Sequence, residues 1–344
     1  MKYMISIFAA AVLAVSCGDA QSVVPQWPWE EPEKETPEVQ EPVVPAPIEK
    51  WTDVSQDYGT LTGVKIYQSP EILQGKKAVA YIAVADLSKT SWDIWSITDP
   101  EMDGSDEKFR TPSDVYSDED YQIVVNAGFF FAAEGKSYSS SLAVRNSEIL
   151  AYNINYASED WVTIYNPTRA ALLEDEDGAF DACWTYRTWD AHYMYPVPAE
   201  NEWGMEDPKQ PSADYPEGAK EFAAVTAIGG GPLLINEGSF VDSYKEELFD
   251  GPSGIGPDGN HPRTAVGVTA DNKMILFVCE GREVTEGVKG LTTADVANVL
   301  LDLECVEAIN LDGGGSSCML VNGKSTIKVS DGSQRAVGST IMIK

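Results

Sequence analysis

Beyond Trp51 the chain is dominated by short apolar runs separated by turns. Runs rich in valine, isoleucine and aromatic residues at 63–67, 78–85, 92–97 and 121–126 read as strands, as do 141–145, 161–165, 222–228, 264–269, 274–279, 308–311, 319–321 and 339–343. β-Branched and aromatic side chains suit a pleated, half-buried surface. Asp271 and Asn272 supply a hairpin turn between two of these runs. One helix stands out over 293–303, where Val296, Val299, Leu300 and Leu303 recur at helical spacing and make one face apolar. Thr292 is placed to cap its first turn, and Asp295 suits the positive N-terminal end. Many strands with few, clustered helices predict an α+β fold built on a mixed, largely antiparallel sheet.

Between 166 and 221 this pattern dissolves into a stretch holding Trp184, Trp189, Tyr193, Tyr195, Trp203 and many prolines and acids. It reads as an insertion or long loop system, with its aromatic rings either stacking on sugars or simply packed.

The N-terminus has a different character. Lys2 and an apolar run over 4–15 lead to Ser16 and Cys17. The run is shorter than the roughly 20 residues a spanning helix needs, and a small residue directly precedes a cysteine, so 1–16 is expected to be a signal peptide and Cys17 a lipidated N-terminus. From 17 to 50 proline alternates with glutamate and no aliphatic cluster forms, which predicts an extended tether. Residues 51–344 then form one large domain, with N-terminal strands over 51–120. Together these features predict an exported protein, lipid-anchored to the bacterial cell envelope at the periplasmic or surface face of the outer membrane, touching membrane only through its lipid.

The net charge of −31 argues against a nucleic-acid partner, which requires a basic face. A phosphorylated substrate is repelled at long range too, so a phosphate site must supply its own local positive charge. Only two histidines are present, His192 and His261, and Cys183, Cys279, Cys305 and Cys318 have no C-x-x-C spacing. That pattern argues against structural zinc, and three of these cysteines sit in apolar runs, which predicts buried thiols.

Four segments share one format, a strand that ends in glycine with a polar residue at the turn. They are Asn126-Ala127-Gly128-Phe129-Phe130, Gly229-Gly230-Gly231-Pro232, His261-Pro262-Arg263-Thr264 and Asn310-Leu311-Asp312-Gly313-Gly314-Gly315-Ser316-Ser317. Glycine at a strand end lets backbone amides approach a ligand, and successive N–H groups can form an anion nest to which Ser316 and Ser317 add hydroxyls.

In order and spacing these segments resemble the phosphodiester glycosidase family over about 121–344. The strongest piece is Cys279-Glu280-Gly281-Arg282, followed by Gly290-Leu291-Thr292, the helix, and 310–317. The family usually has aspartate where Glu280 stands and a second glycine where Ala127 stands. The resemblance implies that Asn126, Arg263, Glu280, Asp312, Gly314 and Ser316 line one pocket, with Arg335 a further site position. Gly128, Phe129, Gly230, Gly231, His261, Gly313 and Ser317 complete the expected substrate-binding set.

The chemistry is consistent with that implication. A guanidinium offers a planar fork of donors to phosphate, which makes Arg263 the expected phosphate ligand. Glycoside hydrolysis needs a carboxylate, and a departing phosphate monoester, with a second pKa of about 6, needs little acid assistance. Asp312 is the first choice for that carboxylate and Glu280 the second, acting on a sugar-1-phosphodiester of a glycan or envelope polymer. The bond cut, C1–O or P–O, stays open. No cofactor is required, although Asp312, Glu280 and Asn126 are oxygen ligands suited to calcium or magnesium, which defines the alternative of a metal-dependent phosphodiesterase. A second alternative is a non-catalytic carbohydrate-binding lipoprotein that uses the aromatic segment.

Overall fold

The computed structural model describes residues 46–118, 121–160 and 162–344. The signal peptide, Cys17 and the tether as far as residue 45 lie outside the described residues, as does Trp161. The tether's expected end is displaced, because Ala46 is already buried and its amide donates to the Asp302 carboxylate, while Trp51 Nε1 donates back to the Ala46 carbonyl.

Three antiparallel sheets make the body, which is mostly β. The eight-stranded sheet runs Thr52–Asp53, Val64–Gln68, Ala80–Asp86, Lys273–Cys279, Arg263–Thr269, Cys305–Asn310, Leu233–Asn236, Ser239–Phe240. A five-stranded sheet is centred on Ile123–Asn126, flanked by Met319–Val321 and Ser339–Ile343. The inner faces of all three sheets meet in one core, in which Ile66, Leu276 and Val266 pack with Ile123, Met319, Ile341, Leu172, Trp184 and Ile228.

Period-two alternation divides the central strands between two cores. Along Lys273–Cys279, Met274, Leu276 and Val278 face the shared core, while Ile275, Phe277 and Cys279 face a second one. Strands buried on both faces read as unbroken apolar runs, which is why these are plain in the sequence. The second core is closed by the helix Thr293–Asp302, whose Val296, Val299 and Leu300 lie against Leu234, Ala265 and Phe277. Its capping box is complete: Thr292 Oγ1 accepts from the Asp295 amide, and the Asp295 carboxylate accepts from the Thr292 amide at 2.7 Å. A five-residue helix, Pro112–Tyr116, carries the same device on Thr111 and Asp114. No helix among the described residues is long and apolar enough to cross a membrane.

The expected insertion at 166–221 is instead the middle of the seven-stranded sheet, through Arg169–Glu174, Phe180–Arg187 and His192–Tyr195. Arg169–Glu174 is rich in alanine with charged ends, so its β-propensity is weak, whereas Phe180–Arg187 alternates apolar with polar residues. Tertiary packing decides their state, with Ala170, Leu172, Ala182 and Trp184 on one face and Ala171, Leu173 and Cys183 on the other. Trp184 and Tyr195 are buried, so these two rings pack the fold rather than stack on a ligand. The expected strand at 161–165 is reduced to a bridge between Ala157 and Tyr165. All four of Cys183, Cys279, Cys305 and Cys318 are buried free thiols.

Removing the helix cap tests how far local chemistry holds the second core. Thr292→Ala is expected to lower unfolding stability by about 1 kcal/mol, read as a reduced urea midpoint with an unchanged slope.

Candidate functional site

The strand ends at Asn126, Gly229, Arg263 and Asn310 gather at one end of the sheets, tied by a buried side-chain amide. Asn126 is fully buried, and its Nδ2 donates to the Asp312 carbonyl at 2.5 Å. Its Oδ1 accepts from Thr264 Oγ1 at 2.9 Å and from the Cys318 amide at 3.0 Å. The Asp312 amide in turn donates to the Ala127 carbonyl. Asn126 therefore fixes the backbone of Asp312 from behind instead of lining the cavity.

Two cavities meet at Asp312. The larger, about 410 Å³, is walled by Phe129, Phe130, Phe131, Phe249, Ile255 and Arg169, with Gly230 also lining it. The smaller, about 150 Å³, is lined by Gly313, Gly314, Gly315, His261, Arg263 and Arg282. Phe129, Ile255, Asp312 and Arg335 belong to both. The result is one cleft with an aromatic chamber, a cationic basin, and a carboxylate at their boundary.

Burial pushes the Asp312 carboxyl up to about 6, against the pull of a hydrogen bond from Ser316 and the charges of Arg335 and Arg282. Arg335 Nη1 donates to Ser316 Oγ at 3.3 Å. Its Nη2 pairs with Asp331 Oδ2 at 2.5 Å, and Asp331 Oδ1 reaches Arg282 Nη1 at 3.4 Å. One carboxylate thus holds two guanidiniums at the mouth of the basin. The glycine loop packs tightly on this trio, since a Cβ on Gly315 would stand 2.1 Å from both Arg335 Nη2 and Asp331 Oδ2, and one on Gly314 would stand 2.7 Å from Arg282 Nη2.

Several expected residues do other work. Arg263 forms part of the basin wall, but its Nε donates to the Leu291 carbonyl at 2.9 Å, Nη1 to Ile255 at 3.1 Å, and Nη2 to Gly256 at 2.6 Å and Gly259 at 2.8 Å. It holds the roof loop over the cleft, and burial lowers its pKa only to about 10, so it stays charged while it does so. Glu280 is buried and lines neither cavity. Its Oε1 accepts from the Lys328 amide at 2.9 Å, and its Oε2 has no partner among the described residues. The two carboxylates expected to converge do not do so, because Glu280 stands where the strand turns away.

The anion nest is also absent in the form expected: the Gly314, Ser316 and Ser317 amides donate to the Pro262, Gly313 and Gly314 carbonyls. Positive charge in the basin is supplied by side chains. Ser317 is buried, with its Oγ 3.3 Å from Thr264 Oγ1. Gly128 and Gly231 are packing positions, where a Cβ would meet Ser141 at 2.4 Å and Phe249 at 2.1 Å respectively. His261 lines the basin with its pKa lowered by burial and by Arg263 and Arg282, which leaves it neutral near pH 7. Trp203 donates through Nε1 to the Asp250 carbonyl. Trp184 donates to Ser243 and Glu247, so this ring is held in the core and is not available to stack on a sugar. No group of three or more His, Cys, Asp or Glu side chains suited to a metal occurs among the described residues.

Arg282, Asp331, Phe249 and Ile255 join the cleft beyond the residues that the glycine turns predict. Arg282 stands within the strongest motif, directly after a strand-end glycine, and that position was the available signal. For Phe249 and Ile255 the signal was four glycines at 251, 254, 256 and 259, which mark a loop that can approach a ligand closely.

A family model described as phosphodiester glycosidase matches residues 119–344. An uncharacterised SPbeta prophage-derived protein of Bacillus subtilis is 39% identical over 83 residues, covering 24% of this chain and 13% of that protein. Mouse N-acetylglucosamine-1-phosphodiester α-N-acetylglucosaminidase is 35% identical over 99 residues, covering 29% of this chain and 18% of that enzyme. The chain thus aligns with less than a fifth of each of these relatives. The catalytic domain of the zebrafish enzyme of the same name, solved in a form auto-inhibited by its pro-peptide, superposes with a TM-score of 0.54 at 19% identity, covering 84% of both chains. That likeness establishes a common fold.

Two substitutions separate the supports of the cleft. Asn126→Ala is expected to cost roughly 2–3 kcal/mol, because it strands buried partners on three segments, and a lowered melting temperature measures it. Gly315→Ala is expected to displace Arg335 and Asp331 and to weaken inorganic phosphate binding in calorimetry, with a far smaller change in melting temperature.

Proposed function

The chain belongs to the phosphodiester glycosidase family, and we propose that it hydrolyses a glycosyl phosphodiester bound across the cleft that Asp312 divides. The observation that carries this reading is the junction itself, with an aromatic chamber of sugar size on one side, paired guanidiniums on the other, and a carboxylate between them. Aromatic faces accept the apolar face of a pyranose ring, and Arg282 and Arg335 offer forked donors to phosphate oxygens.

In this reading the sugar lies in the chamber and the phosphate in the basin, with C1 beside Asp312. The ionised Asp312 takes a proton from the water that attacks C1, or attacks C1 itself to form a glycosyl ester that water then hydrolyses. The C1–O bond breaks, and its electron pair leaves on a phosphate oxygen held by the two arginines. Those charges stabilise the leaving group, which explains how one carboxylate serves where glycosidases ordinarily use two. Ser316 and Arg335 hold the carboxylate in place, while Arg263 keeps the roof loop closed over it.

Export and anchoring belong to the same proposal and rest on the apolar run at 4–15, Ser16 and Cys17. The chain would then meet glycans of the cell envelope, with the proline-rich segment as a spacer. Loss of labelled fatty acid from a Cys17→Ala chain is the expected result.

Asp312→Asn is expected to reduce turnover of sugar-1-phosphodiesters by about a thousandfold or more. In H₂18O the label should appear on the sugar hydroxyl; label in phosphate would show P–O cleavage and overturn the mechanism. Because Asp312 must be ionised, kcat/KM is expected to fall as pH drops through about 6. Stability runs in the opposite sense. A carboxyl raised from 3.8 to about 6 in the fold favours folding below about pH 4, and that contribution is lost as pH rises through 6. Asp312→Asn is therefore expected to gain on the order of 1–3 kcal/mol of stability at neutral pH, seen as a raised melting temperature in an inactive protein.

A further inference from the structure

The aromatic chamber contains a cation that the proposed reaction does not use. Arg169 opens the strand Arg169–Glu174 and is only 7% exposed, yet it lines the chamber, while Arg282 lines only the basin. Its guanidinium lies on the Phe249 ring, with Cζ 4.2 Å from the centroid. Nη1 donates to the Glu247 carbonyl, and Nε is buried with no partner.

The neighbouring Glu247 carboxylate does not satisfy this guanidinium. Its Oε1 accepts from Ser243 Oγ at 2.6 Å, the Leu233 amide at 2.8 Å and Trp184 Nε1 at 3.2 Å, and its Oε2 accepts from the Ala170 amide at 2.8 Å. No ion pair joins it to Arg169 among the described residues. Burial pushes the Glu247 carboxyl up to about 7, so near neutrality its negative charge is incomplete. A buried guanidinium in a low-dielectric wall is costly unless an anion meets it; Glu247 does so only through space, and Arg169 lines the chamber, from which a ligand can approach it.

We infer that Arg169 reads a carboxylate on the sugar, so that the substrate class is a uronic acid linked through its C1 phosphodiester. This inference rests on the glycosidase reading for the placement of the sugar in the chamber. The carboxylate of the uronate meets the guanidinium where Arg169 lines the chamber, the sugar ring packs on the aromatic wall that Phe129, Phe130 and Phe131 supply, and the C1 phosphate reaches Arg335. Two anionic groups on one ligand then meet two separate cationic positions, a match that a neutral hexose provides only once.

Calorimetric titration of the full soluble chain with glucuronic acid 1-phosphate and galacturonic acid 1-phosphate, each against its neutral hexose 1-phosphate, reads this directly. At least one uronate is expected to bind roughly tenfold or more tightly than its neutral partner. Arg169→Gln should bring that ratio close to one, and Arg169→Lys should retain part of it. Equal affinity for every pair, or a preference that survives Arg169→Gln, overturns the inference. If Arg169→Gln does not fold, as its melting curve would show, the wild-type ratios alone decide. The two readings fail separately. A uronate preference without hydrolysis of the matching phosphodiester sinks the glycosidase reading alone, whereas hydrolysis of neutral phosphodiesters without a uronate preference sinks this one alone.

Discussion

Everything at the cleft end of the molecule depends on how one buried amide is satisfied. Asn126 ends the central strand of the five-stranded sheet, and its three hydrogen bonds reach the Arg263 strand, the Asp312 loop and the chain entering Met319–Val321. A carboxamide pairs a donor with an acceptor in a fixed geometry, so it sets the relative position of segments from two sheets in a way that apolar packing does not. Remove that node and Asp312 remains in the sequence but loses the backbone position that places its carboxylate at the junction.

The second constraint is electrostatic. A chain with a net charge of −31 repels phosphates, and the cleft counters this locally by bringing Arg263, Arg282 and Arg335 close to Asp312 and Asp331. The arginines are held by different means. Arg263 donates to main-chain carbonyls and holds the loop, whereas Arg282 and Arg335 share a single carboxylate, Asp331. The raised pKa of Asp312 results from its burial, which holds a carboxylate in the cleft at a cost to folding.

Much of this was legible in the sequence, for identifiable reasons. Strands buried on both faces, such as Lys273–Cys279, carry continuous apolar runs, and the Thr292 helix carries its cap and its stripe, so both were read nearly to the residue. The four glycine turns were read as converging, and Phe129, Gly230, His261, Arg263, Asp312, Gly313, Gly314 and Arg335 do line the cleft. The seven-stranded sheet was missed because alanine-rich strands such as Arg169–Glu174 carry little intrinsic signal. Arg263 and Glu280 are placed otherwise than expected because a sequence shows a side chain's chemistry but not its direction. Arg263 turns to backbone carbonyls, Glu280 turns to Lys328, and Arg282, in a left-handed conformation with φ of 54°, turns toward the basin.

The way Arg263 holds its loop carries one more consequence. Its donors meet only main-chain oxygens, those of residues 255, 256, 257, 259 and 291, and every amino acid supplies such an oxygen. The strap is therefore blind to which side chains the roof carries. Exchange of Ile255 and its neighbours for other side chains would leave the strap intact, which uncouples the lining of the cleft from the support of the loop above it.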